Sequence, residues 1–378
     1  MRRYRHGLVL GKFYPPHAGH HHLVATAADR CDLLTVLVCA ATVESVPLAD
    51  RVAWLREIHQ DPGIRVVGTV DDIPMDVRDP AIWDAHMAVF RAAVPEPVDA
   101  VFTSEAYGGE LARRFGAEPV CVDPARSLFP VSGTAVRADP VAHWDFLRPP
   151  VRAALTRRVV VVGAESTGTT TLARDLADHY RARGGLSART PGVPEYGREF
   201  SERKLARLRA ARPGADWSDV VFGSDEFPVI ARRQAERETE AARLTSPVLF
   251  CDTDAFATTV WHERYIGGPN AAVAEIAART RRQHLWLLTD HTGVPFEDDG
   301  LRDGEELRPW MTGRFAAELA RTGRRTVRVT GPRDRRLTTA VAAVDELLVE
   351  GWDFADPLVV PGGGAGAAVP VPDLTEHR

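Results

Sequence analysis

Short apolar runs alternate with longer amphipathic stretches along most of the chain. Each run is only a few residues long and rich in Val, Leu and Ile, as buried strands are. The runs lie at 7–10, 33–39, 64–67, 100–102 and 119–122, and again at 158–162, 247–251, 285–288 and 326–329. Strands that alternate with helices are typical of parallel sheets covered by helices. The pattern therefore predicts an α/β protein built on parallel sheets.

The alternation is interrupted near the middle of the chain. The consecutive residues Pro149 and Pro150 stop a helix and cannot lie inside a sheet, and a new strand begins at Arg158. After Trp352 the composition shifts to Pro, Gly and Ala, which is typical of disordered segments. The predicted organisation is a first domain, a second domain and a disordered tail, over residues 1–150, 151–352 and 353–378.

Composition and charge exclude several classes of protein. The 378 residues are 44% hydrophobic and 26% charged, which leaves enough apolar mass for two cores. The formal net charge of -5 gives no basic footprint for nucleic acid. The first apolar run is too short for a signal peptide, and no run approaches the length of a membrane span. We therefore expect a cytoplasmic protein that binds neither nucleic acid nor membrane.

The first candidate site directly follows the first predicted strand. The segment reads Gly11-Lys12-Phe13-Tyr14-Pro15-Pro16-His17-Ala18-Gly19-His20 and leads into a helix. A helix N-terminus offers free N–H groups and a positive dipole to phosphate. Gly11 and Gly19 let the backbone approach a ligand closely. Lys12, His17 and His20 can bind a triphosphate and stabilise the charge that develops on transfer.

This segment resembles a known family. His-x-Gly-His after a first strand is similar to the nucleotidylyltransferase superfamily, and the longer Gly-Lys-Phe-x-Pro-x-His-x-Gly-His form resembles nicotinamide mononucleotide adenylyltransferases, especially the bifunctional NadR type fused to a ribosylnicotinamide kinase. A second superfamily motif, Ser-x-Thr-x-x-Arg, is matched by Ser132, Thr134 and Arg137. The resemblance implies that Arg137 catalyses with Lys12 and both histidines by holding the ATP phosphates, while Ser132 caps its helix. The residues it implies for ATP binding are Gly11, Phe13, Gly19, Ser132 and Thr134.

Later loops carry weaker candidates for substrate binding. Glu105, Tyr107, Asp123 and Arg126 resemble the adenosine-side loops of the family and follow predicted strands, where ligands of such sheets bind. Trp83 has two open interpretations: it stacks on the nicotinamide ring, or it packs in the core.

The second candidate site has the frame of a P-loop, G-x-x-x-x-G-K-[ST], between a strand and a helix. It reads Gly163-Ala164-Glu165-Ser166-Thr167-Gly168-Thr169-Thr170-Thr171 and is expected to bind ATP. Thr170 supplies the hydroxyl that faces Mg²⁺. Thr169 stands where P-loops carry the lysine that meets the β- and γ-phosphates. Nucleotide binding is therefore predicted, while three explanations stay open: another cation replaces the lysine, the domain senses nucleotide, or it is a slow kinase.

Three further segments resemble the fused ribosylnicotinamide kinase and occur in the same order. They are Pro194–Phe200, Phe250–Asp254 and Asp299–Arg302. The resemblance implies that Asp252 or Asp254 holds Mg²⁺ or orients the ribose hydroxyl, and we assign the metal to Asp252 with Thr170. Arg302 would stabilise charge on the transferring phosphoryl group. The residues left for binding the riboside are Glu195, Tyr196, Arg198 and Asp254.

The implied function is NAD salvage with ATP and Mg²⁺. AMP passes from ATP to nicotinamide mononucleotide by in-line attack, giving NAD and pyrophosphate, and nicotinamide riboside is phosphorylated by ATP. One alternative is an adenylyltransferase whose P-loop half is regulatory; another is a different acceptor in the first domain. Some relatives add an N-terminal DNA-binding domain, which we do not expect here because the first strand begins at Gly7. The sequence leaves open a homo-oligomer, nicotinic acid substrates and feedback by NAD.

Overall fold

A computed structural model describes residues 3–76, 78–244, 246–297, 299–300 and 302–358. The chain divides into two compact units. Unit 1 comprises Met1–Val151 with Trp352–Arg378, and unit 2 comprises Arg152–Gly351. No helix among the described residues combines the length and the apolarity that crossing a membrane requires.

Unit 1 is built on a five-stranded, fully parallel sheet in the order β3-β2-β1-β4-β5. The strands are β1 Tyr4–Gly11, β2 Cys31–Ala40, β3 Ile64–Val70, β4 Ala100–Thr103 and β5 Glu118–Cys121. The helices are α1 Ala18–Ala28, α2 Leu48–Ile58, α3 Pro80–Ala93, α4 Gly108–Phe115 and α5 Gly133–Ala138, and α6 Pro149–Leu155 leads into unit 2. The central strand β1 pairs Val9 with Val36 on one side and Phe102 on the other.

Unit 2 repeats this plan with a second five-stranded parallel sheet, in the order β10-β9-β6-β8-β7. Its strands are β6 Arg157–Val162, β7 Gly192–Val193, β8 Val248–Asp252, β9 Leu285–Thr289 and β10 Thr326–Val329. Its helices are α7 Thr169–Ala182, α8 Tyr196–Ala211, α9 Glu226–Leu244, α10 Ala257–Ile266, α11 Ala271–Arg279, α12 Arg308–Arg321 and α13 Arg333–Val349.

Both faces of each sheet are covered, as the continuous apolar runs require. Successive strand residues point to opposite faces, so Leu8 and Val9 of β1 enter different apolar clusters. The same holds for Val160 and Val161 of β6. The predicted fold class, two α/β domains with parallel sheets, is confirmed.

The structure departs from the sequence pattern at two small elements. Strand β7 spans only two residues, too few to leave an apolar run. Cys121 is exposed although its neighbours are apolar, because β5 is the edge strand of its sheet. The other cysteines, Cys31, Cys39 and Cys251, are buried free thiols.

The segment after Trp352 also differs from the prediction of a tail disordered from residue 353. Phe354 packs its ring edge-on against Tyr14, with 5.8 Å between the ring centres. The backbone N–H of Ala355 donates to Ser45 Oγ at 2.6 Å. An aromatic contact and backbone hydrogen bonds thus order residues 353–358 against unit 1. The rest of the predicted tail, 359–378, lies outside the described residues.

Candidate active sites

Each motif loop follows the central strand of its sheet. β1 lies between β2 and β4, and β6 lies between β9 and β8, so the strand order reverses at both strands. Ligands of open parallel sheets bind at the carboxyl ends of strands at such points. The two motif loops therefore occupy the positions where a nucleotide is expected.

His17 and His20 pack their rings against each other at the start of α1, tilted by 33°. The backbone N–H of His17 donates to His20 Nδ1 at 3.3 Å, and the ring centres lie 3.8 Å apart. Burial, and next the charge of Arg126, lowers the pKa of His17 to about 4. Burial also lowers the pKa of His20, and the ring of Phe13 lies 4.9 Å from it. Both imidazoles are thus neutral at pH 7, when they can hydrogen-bond phosphate without a fixed charge.

One cavity in unit 1 brings several predicted residues together. It is lined by His17, Gly19, His20, Glu105, Asp123, Arg126 and Ser132, among others. Arg126 Nη2 donates to Glu105 Oε1 at 2.6 Å, and Asp123 accepts from Ser127 Oγ at 2.7 Å. Ser132 caps α5 by accepting from the backbone N–H of Ala135 at 3.1 Å. Both motifs and the predicted adenosine-side loops therefore converge on one cavity.

Lys12 and Arg137 do not line this cavity and are held by neighbouring side chains. Lys12 Nζ lies 2.8 Å from one carboxylate oxygen of Glu44, and buried Arg51 lies 2.6 Å from the other. Arg137 Nη1 donates to the backbone oxygen of Tyr14 at 2.8 Å. The guanidinium carbons of Arg51 and Arg137 lie 4.3 Å and 4.9 Å from the centre of the Tyr14 ring. Arg51 thus links the two motif segments, because it contacts both Glu44, the partner of Lys12, and the Tyr14 ring, against which Arg137 packs.

The loop after β6 has the backbone of a phosphate cradle. Gly168 has a φ of 84°, in the left-handed region that glycine favours. A Cβ on Gly163 would lie 2.0 Å from Thr289 Oγ1, so no larger residue fits there. The hydroxyls of Thr167 and Thr289 lie 2.7 Å apart and tie the loop to β9.

Three carboxylates lie near one another at this loop: Glu165 of the loop itself, Glu195 and Asp252. Thr170 donates its hydroxyl to Asp252, which is buried at the end of β8. Burial, and next the charges of Asp252 and Glu165, raises the pKa of Glu195 to about 8. Burial raises the pKa of Glu165 to about 7 against the opposing charge of Arg264. Such crowded, dehydrated carboxylates favour the arrival of a cation.

Two cavities meet at the P-loop. The outer one is lined by Ser166 to Leu172, by Val294 and Pro295, and by Arg302, Arg333 and Arg336. The inner one is lined by Glu165, Thr169, Thr170, Glu195, Arg198 and Arg302, and by five aromatic residues. Arg302 lines both cavities and donates to Ser166 Oγ at 3.4 Å. Arg336 instead braces the loop, since it donates to the backbone oxygens of Thr167 and Asp290 at 2.7 Å and 2.8 Å.

Comparisons with known proteins agree with this two-site architecture. Residues 8–139 match the Cytidylyltransferase-like family and residues 158–336 match an AAA domain. Over 139 residues the chain is 31% identical to the nicotinamide-nucleotide adenylyltransferase of Methanocorpusculum labreanum, covering 35% of this chain and 77% of that protein. It is also 26% identical over 311 residues to the Trifunctional NAD biosynthesis/regulator protein NadR of Escherichia coli, covering 78% and 71% of the two chains. The chain belongs to the NadR-type family of nicotinamide-nucleotide adenylyltransferases.

Solved structures of NadR share the fold along nearly the whole chain. One, in complex with NR, has a TM-score of 0.67 at 23% identity and covers 92% of this chain and 97% of its own. Another, with NAD and AMP-PNP, has the same TM-score and coverage at 22% identity.

Among the residues predicted to bind substrate, four lie outside the cavities described above. Trp83 is buried among apolar side chains of unit 1, with the Arg114 guanidinium 5.3 Å from its ring centre, so packing is the interpretation that the structure favours. Tyr107 packs in the same cluster, and burial raises its pKa. Tyr196 is buried beneath Arg237, whose guanidinium lies 4.7 Å from the ring.

Asp254 is the fourth, and its own chain occupies both of its carboxylate oxygens. One accepts from the backbone N–H of Ala257 at 2.8 Å and the other from Trp286 Nε1 at 3.2 Å. Its side chain is buried, and it lines neither cavity of unit 2. Asp254 therefore holds the start of α10 to β9 rather than facing a ligand.

The aromatic wall of the inner cavity was missed by sequence reasoning. It consists of Trp217, Phe222, Phe227, Trp261 and Tyr265. Trp261 and Tyr265 are four residues apart on α10 and their rings are nearly parallel, at an interplanar angle of 20°. That spacing predicts a shared helix face, but Phe222 comes from a distant loop and lies 4.8 Å from the Tyr265 ring only in the folded chain.

Proposed function

We propose that unit 1 transfers AMP from ATP to nicotinamide mononucleotide, releasing pyrophosphate and forming NAD. We propose further that unit 2 phosphorylates nicotinamide riboside with ATP, which would supply the mononucleotide to unit 1. The observation that carries the first activity is the single cavity lined by His17, His20, Arg126 and Ser132 at the carboxyl end of β1. Its neutral imidazoles and N-capped helix suit the phosphates of ATP.

In this reaction the protein positions reactants and stabilises charge. The mononucleotide phosphate attacks the α-phosphorus of ATP, and the bond to the β-phosphate oxygen breaks, so no covalent protein intermediate is needed. Lys12 and Arg137 would hold the phosphates that leave as pyrophosphate, because they lie on the two motif segments that supply His17 and Ser132 to the cavity.

Unit 2 offers a suitable place for the riboside. The pyridinium ring of nicotinamide riboside is cationic, and aromatic faces attract cations. The inner cavity combines its aromatic wall with the carboxylates Glu165 and Glu195. Arg198, which is paired with Asp299 at 2.8 Å, would reach the ribose or its neighbours.

Thr170 and Asp252 fit a magnesium ion that arrives with ATP. Both present oxygen, the donor that Mg²⁺ prefers, and they already contact each other. Among the described residues no group of three or more His, Cys, Asp or Glu side chains forms a metal cage. Mg²⁺ is usually held by one or two side chains together with substrate phosphates, which is what Thr170 and Asp252 would supply. When bound, Mg²⁺ would neutralise charge on the transferring phosphates.

A second candidate function follows from Thr169. Without the P-loop lysine, unit 2 could bind nucleotide and regulate rather than turn over. Arg302 argues for turnover, because it is a cation that lines both the outer and the inner cavity.

The test uses the full chain with ATP and Mg²⁺. One tube contains nicotinamide mononucleotide and the other nicotinamide riboside, and both are followed by chromatography. NAD in both tubes is expected. His17→Ala should abolish NAD in both, whereas Asp252→Asn should abolish it only in the riboside tube. NAD only from the mononucleotide would leave unit 2 a regulatory domain, and no NAD in either tube would overturn the proposal.

A further inference from the structure

The last described segment of the chain, Trp352–Leu358, lies against the first motif loop; we call it the C-terminal strap. It belongs to unit 1. It contacts the loops that follow β1, β2 and β3, through Tyr14, Ser45 and Met75 respectively. The carboxyl ends of these three strands form one half of the sheet edge where ligands bind.

Tyr14 joins the strap to the first motif. It is 1% exposed, and its hydroxyl accepts from the backbone N–H of Ser45 at 3.0 Å and donates to the backbone oxygen of Ala355 at 3.1 Å. Ala355 returns a hydrogen bond from its own N–H to Ser45 Oγ at 2.6 Å. The edge of the Phe354 ring packs against the Tyr14 ring, with 5.8 Å between the ring centres. The strap therefore contacts Tyr14 at two points, the hydroxyl and the ring, and it is also bonded to Ser45, which donates to the same hydroxyl.

The other side of Tyr14 supports Arg137. Its backbone oxygen accepts from Arg137 Nη1 at 2.8 Å, and its ring lies 4.9 Å from the guanidinium carbon. A second hydrogen bond, from Arg137 Nη2 to Thr134 Oγ1, is long at 3.4 Å. An arginine side chain has many rotamers, so a fixed carbonyl and ring restrict where its guanidinium points. Tyr14 is the principal restraint on Arg137.

We propose that the C-terminal strap positions Arg137 for the phosphates of ATP by fixing Tyr14. The adenylyl-transfer site is thus completed by a segment about 220 residues further along the chain than Arg137 itself. Phe354 and Tyr14 act as positioning residues and contact no substrate. This inference rests on the adenylyltransferase function proposed above.

The test compares Phe354→Ala and Tyr14→Phe with the full-length chain. Phe354→Ala removes the ring contact, and Tyr14→Phe keeps the ring but removes both hydroxyl hydrogen bonds. Asp353→Ala is the matched control, since Asp353 is an exposed neighbour in the same segment. We expect kcat/KM for ATP in NAD formation to fall about tenfold in both variants, as displacement of a catalytic group does, and to change less than twofold in the control. The melting temperature of each variant shows whether the fold is retained.

A second test, in the Arg137→Ala variant, distinguishes positioning of Arg137 by the strap from general stabilisation of the fold. In Arg137→Ala, adding Phe354→Ala should cause no further loss, because the group that the strap positions is already gone. An equal loss in both backgrounds, or an unchanged kcat/KM in folded Phe354→Ala and Tyr14→Phe, overturns the proposal. If the unaltered chain forms no NAD from the mononucleotide, the proposed function itself fails, and the strap proposal fails with it.

Discussion

At the scale of single residues, Asp252 and Asp254 show how far two neighbouring carboxylates can differ. Both are buried, Asp252 as the last residue of β8 and Asp254 two residues later, and the sequence offers either for metal or substrate. Asp252 faces Thr170 and the P-loop, whereas Asp254 accepts hydrogen bonds from Ala257 and Trp286. Asp254 is satisfied within the protein and stabilises the fold. Asp252 instead contacts Thr170, which lines both cavities of unit 2.

Exchange of each aspartate for asparagine should therefore have opposite effects. Asp252→Asn should abolish phosphorylation of nicotinamide riboside with little change in melting temperature. Asp254→Asn places an amide N–H against one of two buried donors and should lower the free energy of unfolding by about 1–3 kcal/mol. Riboside kinase assays and urea unfolding of both variants measure this, and equal loss of activity in two folded proteins would contradict it.

His17 supplies a prediction on pH. Its pKa is lowered from 6.5 to about 4 in the folded chain, chiefly by burial. Between these values the unfolded chain binds a proton that the folded chain does not, so stability is fully present above pH 6.5 and is lost as the pH falls through 4. We expect His17 to account for a loss of about 3 kcal/mol over this interval.

Urea unfolding at several pH values checks this expectation. The free energy of unfolding of His17→Asn should fall less steeply between pH 6.5 and pH 4 than that of the unaltered chain. Parallel curves for the two proteins would mean that His17 is not buried and neutral as described.

At the scale of elements, we expect the P-loop and the segment before α12 to bind phosphate together. The loop supplies backbone N–H groups and Thr170, but Thr169 brings no charge. Arg308 and Arg336 are buried and donate to backbone oxygens of the loop, so they brace it. Arg302 lies on the cavity side and is only loosely paired, at 3.5 Å from Asp299.

Removal of Arg302 should therefore reveal which cation replaces the lysine. We expect Arg302→Ala to lower riboside kinase turnover about a hundredfold, the usual cost of losing one donor to developing charge. Arg335→Ala, on an exposed face of α13, serves as the control. Unchanged turnover in Arg302→Ala would assign the missing charge to another group.

At the scale of the whole molecule, the chain holds two units with separate sheets and separate apolar clusters. Each unit carries its own candidate site at its own central strand. A ligand that binds one folded unit stabilises that unit alone unless the units are coupled.

Calorimetry with each substrate tests this independence. Nicotinamide mononucleotide should raise the temperature of one unfolding transition, and nicotinamide riboside that of the other. At a ligand concentration a hundred times the dissociation constant, the free energy of unfolding of the unit that binds should rise by about 2.7 kcal/mol. Asp252→Asn should leave the response to the mononucleotide intact. A single transition that rises with both ligands would instead show that the units unfold together.

The sequence by itself determined the fold class and the family, and both are confirmed. Strand runs and glycine-rich turns are local signals, because the period of apolar residues and the conformational freedom of Gly168 depend on neighbouring positions. The same locality identified the His17–His20 motif and the N-cap at Ser132. The roles assigned to these residues stay predictions.

Only the tertiary structure decided which side chains face a ligand and which face the core. Trp83 and Asp254 have the chemistry of binding residues, but packing against Arg114 and Trp286 occupies them. The aromatic wall and the contact of Phe354 with Tyr14 join segments far apart in the chain. Sequence spacing carries no information on such contacts, because they depend on how the chain returns to the sheet edge after folding.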